Sequence, residues 1–107
     1  MHTNRHTFRA PVVAARRADG EERTIAVMVP GGGADTFRLM DLPKPVHAIV
    51  KAGAGEAVDR ATAERAAQAF IDYRAKKKPG AEWSKPGAAV VETVHTFYTL
   101  TPARVFP

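Results

Sequence analysis

Two strand-like segments around a turn signal near the start of the chain predict a β-hairpin over about residues 8–29. Two segments rich in Val, Ile and Ala flank Asp19-Gly20. An Asp-Gly pair in this position is a strong signal for a tight turn, because both residue types tolerate positive φ. A two-residue turn would place Val12 opposite Val27, so the hairpin should present an apolar patch.

Two further strands are expected after the hairpin, over about 36–42 and 46–52. A Pro-Lys-Pro sequence separates them, and proline interrupts a strand ladder. In the second segment Val46, Ala48 and Val50 recur at every other position, the spacing of residues on one face of a strand. Both segments therefore extend the predicted sheet.

A helix is predicted over about 60–77. Its apolar residues recur at helical spacing, and either Asp59 or Thr62 can cap its free N–H groups. Pro79-Gly80 ends it. The residues that recur at this spacing are Ala63, Ala66, Ala67, Phe70, Ile71 and Arg74, and Tyr73 flanks them.

The last predicted element is a C-terminal strand over about 88–100, a segment rich in Val, Thr and aromatic residues. The order of elements indicates an α+β fold: a small, mostly antiparallel sheet packed against one α-helix, in a single domain over 1–107. One helix leaves part of the sheet without cover, so a homo-oligomer is one expectation.

Composition narrows the function classes. The chain has 107 residues and no cysteine, which excludes disulfides and thiolate chemistry. No signal peptide or transmembrane segment is evident, so a cytoplasmic location, or a particle assembled inside the cell, is expected without a membrane partner. The excess of Arg over Lys and the abundance of Ala indicate GC-rich coding and a bacterial or phage source.

The formal net charge of +5 favours an anionic partner, either nucleic acid or an acidic protein surface. The excess gathers in two places, the hairpin tip and the end of the predicted helix with the loop that follows. The candidate binding residues are Arg16, Arg17, Arg23, Lys76, Lys77, Lys78, Trp83 and Lys85.

At the hairpin tip, the register decides which arginines face each other. A two-residue turn places Arg16 opposite Arg23, whereas a three-residue turn places Arg17 there. Either arrangement concentrates positive charge, although like charges directly opposite are mildly destabilising. Asp19, Glu21 and Glu22 could neutralise this charge within the turn, and a wider loop would remove the clash. The alternatives are an anion contact and a merely solvated tip.

In the loop after the helix, two Lys-Pro-Gly sequences flank the only tryptophan, Trp83. The lysines could neutralise phosphates while an exposed indole stacks on a base. Alternatively, the helix dipole alone favours lysines in a last turn, and Trp83 anchors the loop on the core.

Catalytic, metal and cofactor sites have little support. Gly53-Ala54-Gly55 lies in the setting of a dinucleotide fingerprint, but Val58 replaces its third glycine, so no cofactor is expected. His2 and His6 do not make a metal motif. His47 and His95 lie in predicted strands, and no spacing ties them to Asp41 or Glu92.

The favoured interpretation is a small non-catalytic binding module that engages nucleic acid or a nucleoprotein through a basic surface. The alternative is a protein-interaction or structural subunit, such as a component of a phage particle or an inhibitor of a host protein complex. An enzyme using His47 or His95 is the least expected class.

Overall fold

One antiparallel sheet of five strands organises the molecule, as seen in a computed structural model. The structure describes residues 3–31, 33 and 35–102, and at 3–6, 8 and 98–102 it describes the backbone alone. The order across the sheet is β4-β3-β2-β1-β5. The strands are β1 (Thr3–Arg16), β2 (Glu22–Met28), β3 (Thr36–Leu39), β4 (Ala57–Asp59) and β5 (Ala89–Pro102). The predicted α+β class with a mostly antiparallel sheet is confirmed.

Helix α2 (Arg60–Lys77) covers one face of the sheet, with the bounds that the sequence predicts. Asp59 caps it, since its Oδ1 accepts the Thr62 N–H at 2.8 Å. Hydrogen bonds with the Thr62 side chain and with its backbone N–H lower the pKa of Asp59. The buried alanines of α2 let the helix approach the sheet closely, where Phe70 joins a core that includes Ile25 and Phe37. Among the described residues, no helix combines the length and apolarity needed to cross a bilayer.

The strand expected over 46–52 is wrong, because this segment forms a second helix, α1 (Lys44–Val50). Val46 and Val50 are buried against α2. Residues four apart lie on one side of a strand and also on one side of a helix, so these two valines fit both structures. Ala48, which only the strand would bury, is exposed. Pro45 at the start of α1 and Lys51 in the left-handed conformation at its end agree with the helix.

The hairpin β1–β2 forms as predicted, with Val12 opposite Val27, but its tip differs. The register shifts by one residue between Val13 and Ala14. Beyond this β-bulge the connecting loop spans five residues, 17–21, in place of the two- or three-residue turn.

The bulge changes the partners of the tip arginines. Arg16 faces Glu22, and Ala15 faces Arg23. Neither Arg16 nor Arg17 therefore lies opposite Arg23, and the expected clash of like charges is absent there.

Strands β1 and β5 bend towards the face that α2 does not cover. Glu22 Oε1 lies 3.6 Å from His95 Nε2. Glu22 pairs with Arg16 of β1, whereas His95 pairs with Ala10 of β1. Six residues of straight strand would separate those partners by about 20 Å. The register shift lies between these two positions, with Ile25 of β2 as the extra residue, and a β-bulge increases the local twist of the paired strands.

Candidate functional site

The hairpin tip and the C-terminal end of α2 meet around one cleft of about 560 Å³. We call it the basic cleft. Its lining residues come from the tip, the last turns of α2 and the short 3-10 helix Glu82–Ser84 that follows. They are Arg17, Arg74, Lys77, Lys78, Ala81, Glu82 and Trp83. Four of these side chains are cationic, and they come from two regions that sequence reasoning singled out separately.

Backbone contacts hold the two regions together. The Ala18 N–H at the hairpin tip donates to the Glu82 carbonyl at 3.2 Å. Gly87, at the end of the same loop, passes so close to Ala18 that a Cβ there would lie 3.3 Å from its Cα and Cβ. The Ser84 hydroxyl braces the loop from within, accepting the Gly80 N–H at 2.8 Å. The cleft is therefore built on ordered backbone.

Trp83 forms the floor of the cleft and joins it to the core. Its side chain is only 8% exposed, and it packs edge-on against Phe70 with the ring centroids 5.2 Å apart. An indole buried in this way has no free face on which a base can stack. The expectation of an exposed, stacking tryptophan is wrong, and the alternative of a loop anchor describes its position.

The arginines of the tip are paired with acidic residues of the same hairpin. Arg16 donates to Glu22 Oε2 from Nε at 3.0 Å and from Nη2 at 2.7 Å. Arg17 donates to both carboxylate oxygens of Asp19, and Glu21 lies 3.4 Å away. The hydrogen bond from Arg17 lowers the pKa of Asp19 to about 2. Within the hairpin, the positive charge of both arginines is therefore largely balanced.

Arg23 lies on the other side of the tip, towards α2. Its Nη2 donates to the Asp41 carbonyl at 2.9 Å, and its guanidinium carbon lies 5.3 Å from the centroid of Phe70. It lines a smaller groove of about 170 Å³ beside the basic cleft, together with Arg17 and Arg74. Arg23 thus borders the cleft and also packs on the core.

The cations at the end of α2, unlike the arginines of the tip, are not paired with acidic residues of the described chain. Among the described residues, no carboxylate lies within ion-pair distance of Arg74, Lys77 or Lys78. Lys77 lies over the ring of Tyr73, with Nζ 5.5 Å from its centroid, and Lys78 closes the helix as its C-cap. These three side chains are the uncompensated charges of the cleft.

Three predicted residues lie outside this arrangement. Arg16 lines neither the basic cleft nor the smaller groove. Lys76 is exposed on α2 but does not line the cleft. Lys85 is paired with Glu82 at 2.5 Å. This pair balances the one carboxylate that lines the cleft, so Lys85 contributes indirectly to its positive character.

Arg74 is the cleft residue that sequence reasoning missed. It lines both the basic cleft and the smaller groove, and its guanidinium carbon lies 5.9 Å from the Phe70 centroid. Its spacing could have identified it, because Arg74 follows Phe70 by four residues and so lies on the same face of the helix. A long cationic side chain on the edge of an apolar face buries its stem and places its charge at the rim.

The histidines serve the fold in ways the sequence did not indicate. His47 lies on α1, where Nε2 accepts the Leu42 N–H at 3.0 Å and Nδ1 lies 2.9 Å from the Ala52 carbonyl. Both ring nitrogens are therefore engaged with backbone. His95 lies on β5 beside Glu22. Across the described part of the chain, no three His, Asp or Glu side chains are grouped to hold a metal ion.

The chain was compared with protein-family models, with curated proteins and with solved structures, and no match was found in any of the three. The chemistry of the basic cleft is therefore the main indication of function.

Proposed function

We propose that this chain is a small, non-catalytic binding module that engages nucleic acid, or a nucleoprotein, at the basic cleft. The observation that carries this proposal is that three cations without acidic partners, Arg74, Lys77 and Lys78, converge with Arg17 around a single opening. Phosphate oxygens are the natural partners of such a set, since a guanidinium can bind two of them at once and each ammonium adds a point charge.

The negative end of the α2 dipole lies at the same place and works against an anion. It amounts to about half an elementary charge. Three uncompensated side-chain charges outweigh it, and the lysines of the last turn also offset it directly. An anion at the mouth of the cleft therefore meets a net positive field.

The burial of Trp83 changes what kind of recognition is proposed. With the indole held against Phe70, the cleft offers cations and a rigid wall, but no aromatic surface for a base. Contacts to phosphate position a protein on nucleic acid without reading its sequence. We therefore propose binding to the sugar-phosphate backbone, with little dependence on base sequence.

Salt dependence tests this proposal directly. Fluorescence anisotropy of a labelled oligonucleotide, single- or double-stranded, should show affinity falling steeply as salt rises. If three to four phosphates are neutralised, the slope of log K against log salt should lie between about −2 and −4. Absence of binding at low salt, for either form, would contradict the proposal.

A matched pair of triple variants separates a local site from a general effect of charge. Arg74→Gln, Lys77→Gln and Lys78→Gln together remove three charges from the cleft. The control, Arg9→Gln, Lys44→Gln and Arg65→Gln, removes three exposed charges elsewhere. The first set should weaken binding by at least about tenfold and reduce the salt slope by about 2 to 3, while the control binds nearly as well as the natural chain. Equal losses in the two sets would indicate only non-specific attraction.

A protein-interaction or structural subunit is the second candidate, favoured by a separate apolar surface. A pocket of about 440 Å³ opens on the helix-bearing side of the sheet, lined by Arg9, Ala10, Pro11, Met28 and Pro30. A pull-down from cells, with and without nuclease, distinguishes the two candidates. A protein partner that is retained at high salt after nuclease treatment would favour this second function.

A further inference from the structure

The two edges of the sheet differ sharply in how they are protected. At one edge β4 has three residues, Ala57–Asp59, and leads directly into α2. At the other edge β5 has fourteen residues, Ala89–Pro102, and in the described part of the chain no strand pairs with its outer side. Long open edges present a row of unpaired N–H and C=O groups that can accept another strand.

The usual means of blocking an edge are missing from β5. Its pairing with β1 runs from Arg16–Ala89 to Thr3–Pro102 without a bulge, and its only proline is the last residue. It contains no lysine or arginine, and its single acidic residue, Glu92, is paired with Arg60. Natural sheets protect free edges with charges, prolines or bulges, and β5 has few of these features along its length.

We propose that a second copy of this chain occupies the edge, with the two β5 strands antiparallel about a two-fold axis through Val94. Because this axis is perpendicular to the sheet, each residue of one β5 lies opposite a residue of the other β5 whose side chain is on the same face of the sheet. In this register Glu92 faces Thr96, Val91 faces Phe97, and Thr93 faces His95. No like charges meet, whereas centring on Glu92 would oppose two carboxylates and centring on His95 two imidazoles.

The exposed apolar surface supports this centre. Val94 is 48% exposed and is one of the few large apolar side chains of the described chain left in solvent. It is paired with Pro11 on β1, and Pro11 lines the apolar pocket with Met28 and Pro30. In the dimer the two Val94 side chains adjoin, so the apolar surfaces of both copies become continuous across the interface, as in other isologous contacts.

This dimer leaves the basic cleft free. The cleft lies at the end of β5 marked by Ala89, next to the hairpin tip, and the antiparallel arrangement carries the two clefts to opposite ends of the joined edge. Dimer formation and oligonucleotide binding can therefore fail independently. The triple variant at Arg74, Lys77 and Lys78 should remain a dimer.

Cross-linking tests the register directly, because the chain has no cysteine of its own. Val94→Cys should form a disulfide-linked dimer on oxidation, since residues opposite at the two-fold axis have Cβ atoms about 4.5–5.5 Å apart. A mixture of Glu92→Cys and Thr96→Cys chains should cross-link to each other more than either does alone. The control Ile49→Cys, at a 60% exposed position on α1, should not cross-link.

Light scattering coupled to size exclusion gives the second measurement. The natural chain should show twice the mass of one chain at high micromolar concentration. Val94→Lys places two ammonium groups opposite each other and should weaken the dimer by at least about tenfold, whereas Ile49→Lys should not; thermal melts check that both variants are folded. The proposal is overturned if the natural chain stays monomeric. It is also overturned if the chain dimerises but Val94→Lys leaves the dimer intact and Val94→Cys does not cross-link it.

Discussion

The cations of the hairpin tip and those at the end of α2 differ in whether acidic side chains balance their charge. At the hairpin tip, Arg16 and Arg17 are held by Glu22 and Asp19, acidic residues of the same hairpin. At the end of α2, Lys77 and Lys78 have no carboxylate partner among the described residues. The sequence places Asp19, Glu21 and Glu22 beside the tip arginines, whereas it has no acidic residue between Asp72 and Glu82. The local supply of acidic side chains, and not the number of cations, decides which charges are available to a ligand.

The largest expected effect comes from removing Trp83, which joins the basic cleft to the core. Trp83→Ala deletes a buried ring that packs on Phe70, and truncations of this kind lower the free energy of unfolding by about 3–5 kcal/mol. Urea denaturation followed by far-UV circular dichroism measures it. Trp83→Phe, which keeps a ring there, should lose much less. A loss below about 1 kcal/mol for Trp83→Ala would mean that the loop is not anchored through the indole.

Two double variants, each removing two positive charges, test whether the cations at the end of α2 are more available to a ligand than those of the hairpin tip. Lys77→Gln with Lys78→Gln should lower oligonucleotide affinity by at least about fivefold, because these charges are free to pair with phosphate. Arg16→Gln with Arg17→Gln should lower it by less than about twofold, because acidic partners already balance them. Anisotropy at one fixed salt concentration measures both. Losses in the reverse order would show that the ion pairs of the tip open on binding.

The smallest expected effect concerns the pH dependence of the tip. The pKa of Asp19 is lowered from 3.8 to about 2, chiefly by its hydrogen bond with Arg17. Since the folded-state pKa lies below the unfolded value, the stabilisation is fully present above about pH 4 and is lost as the pH falls through 2. Urea midpoints for the natural chain and Asp19→Asn should differ slightly near neutral pH and converge in acid. A difference that persists at the lowest pH would contradict the ionic origin.

Strong local signals account for the parts of the fold that could be predicted. Helix α2 follows its pattern from Arg60 to Lys77, because its cap, its apolar spacing and its terminating Pro79-Gly80 all agree. Helix α1 was mistaken for a strand, because Val46 and Val50 satisfy both periodicities in a segment of only seven residues. Only packing against α2 distinguishes the two, and packing depends on residues far away in the chain.

The candidate site was predicted in its parts but not in its assembly. Of the four cations that line the basic cleft, Arg17, Lys77 and Lys78 were predicted together with Trp83, but Arg74 was overlooked because it shares the apolar face of α2. Sequence reasoning also could not tell whether a single tryptophan stacks on a ligand or packs on Phe70, since both roles need the same side chain.

By itself, the sequence determined the order and kind of most elements and the two places where positive charge accumulates, because periodicity, capping residues and local charge are properties of neighbouring residues. The tertiary structure alone decided which of those charges remain free. One bulged residue in the hairpin moves Glu22 opposite Arg16, and the docking of Ala18 on Glu82 brings Arg17 to the end of α2. The first outcome depends on strand register, and the second depends on a contact between segments about sixty residues apart. No local sequence pattern records either of them.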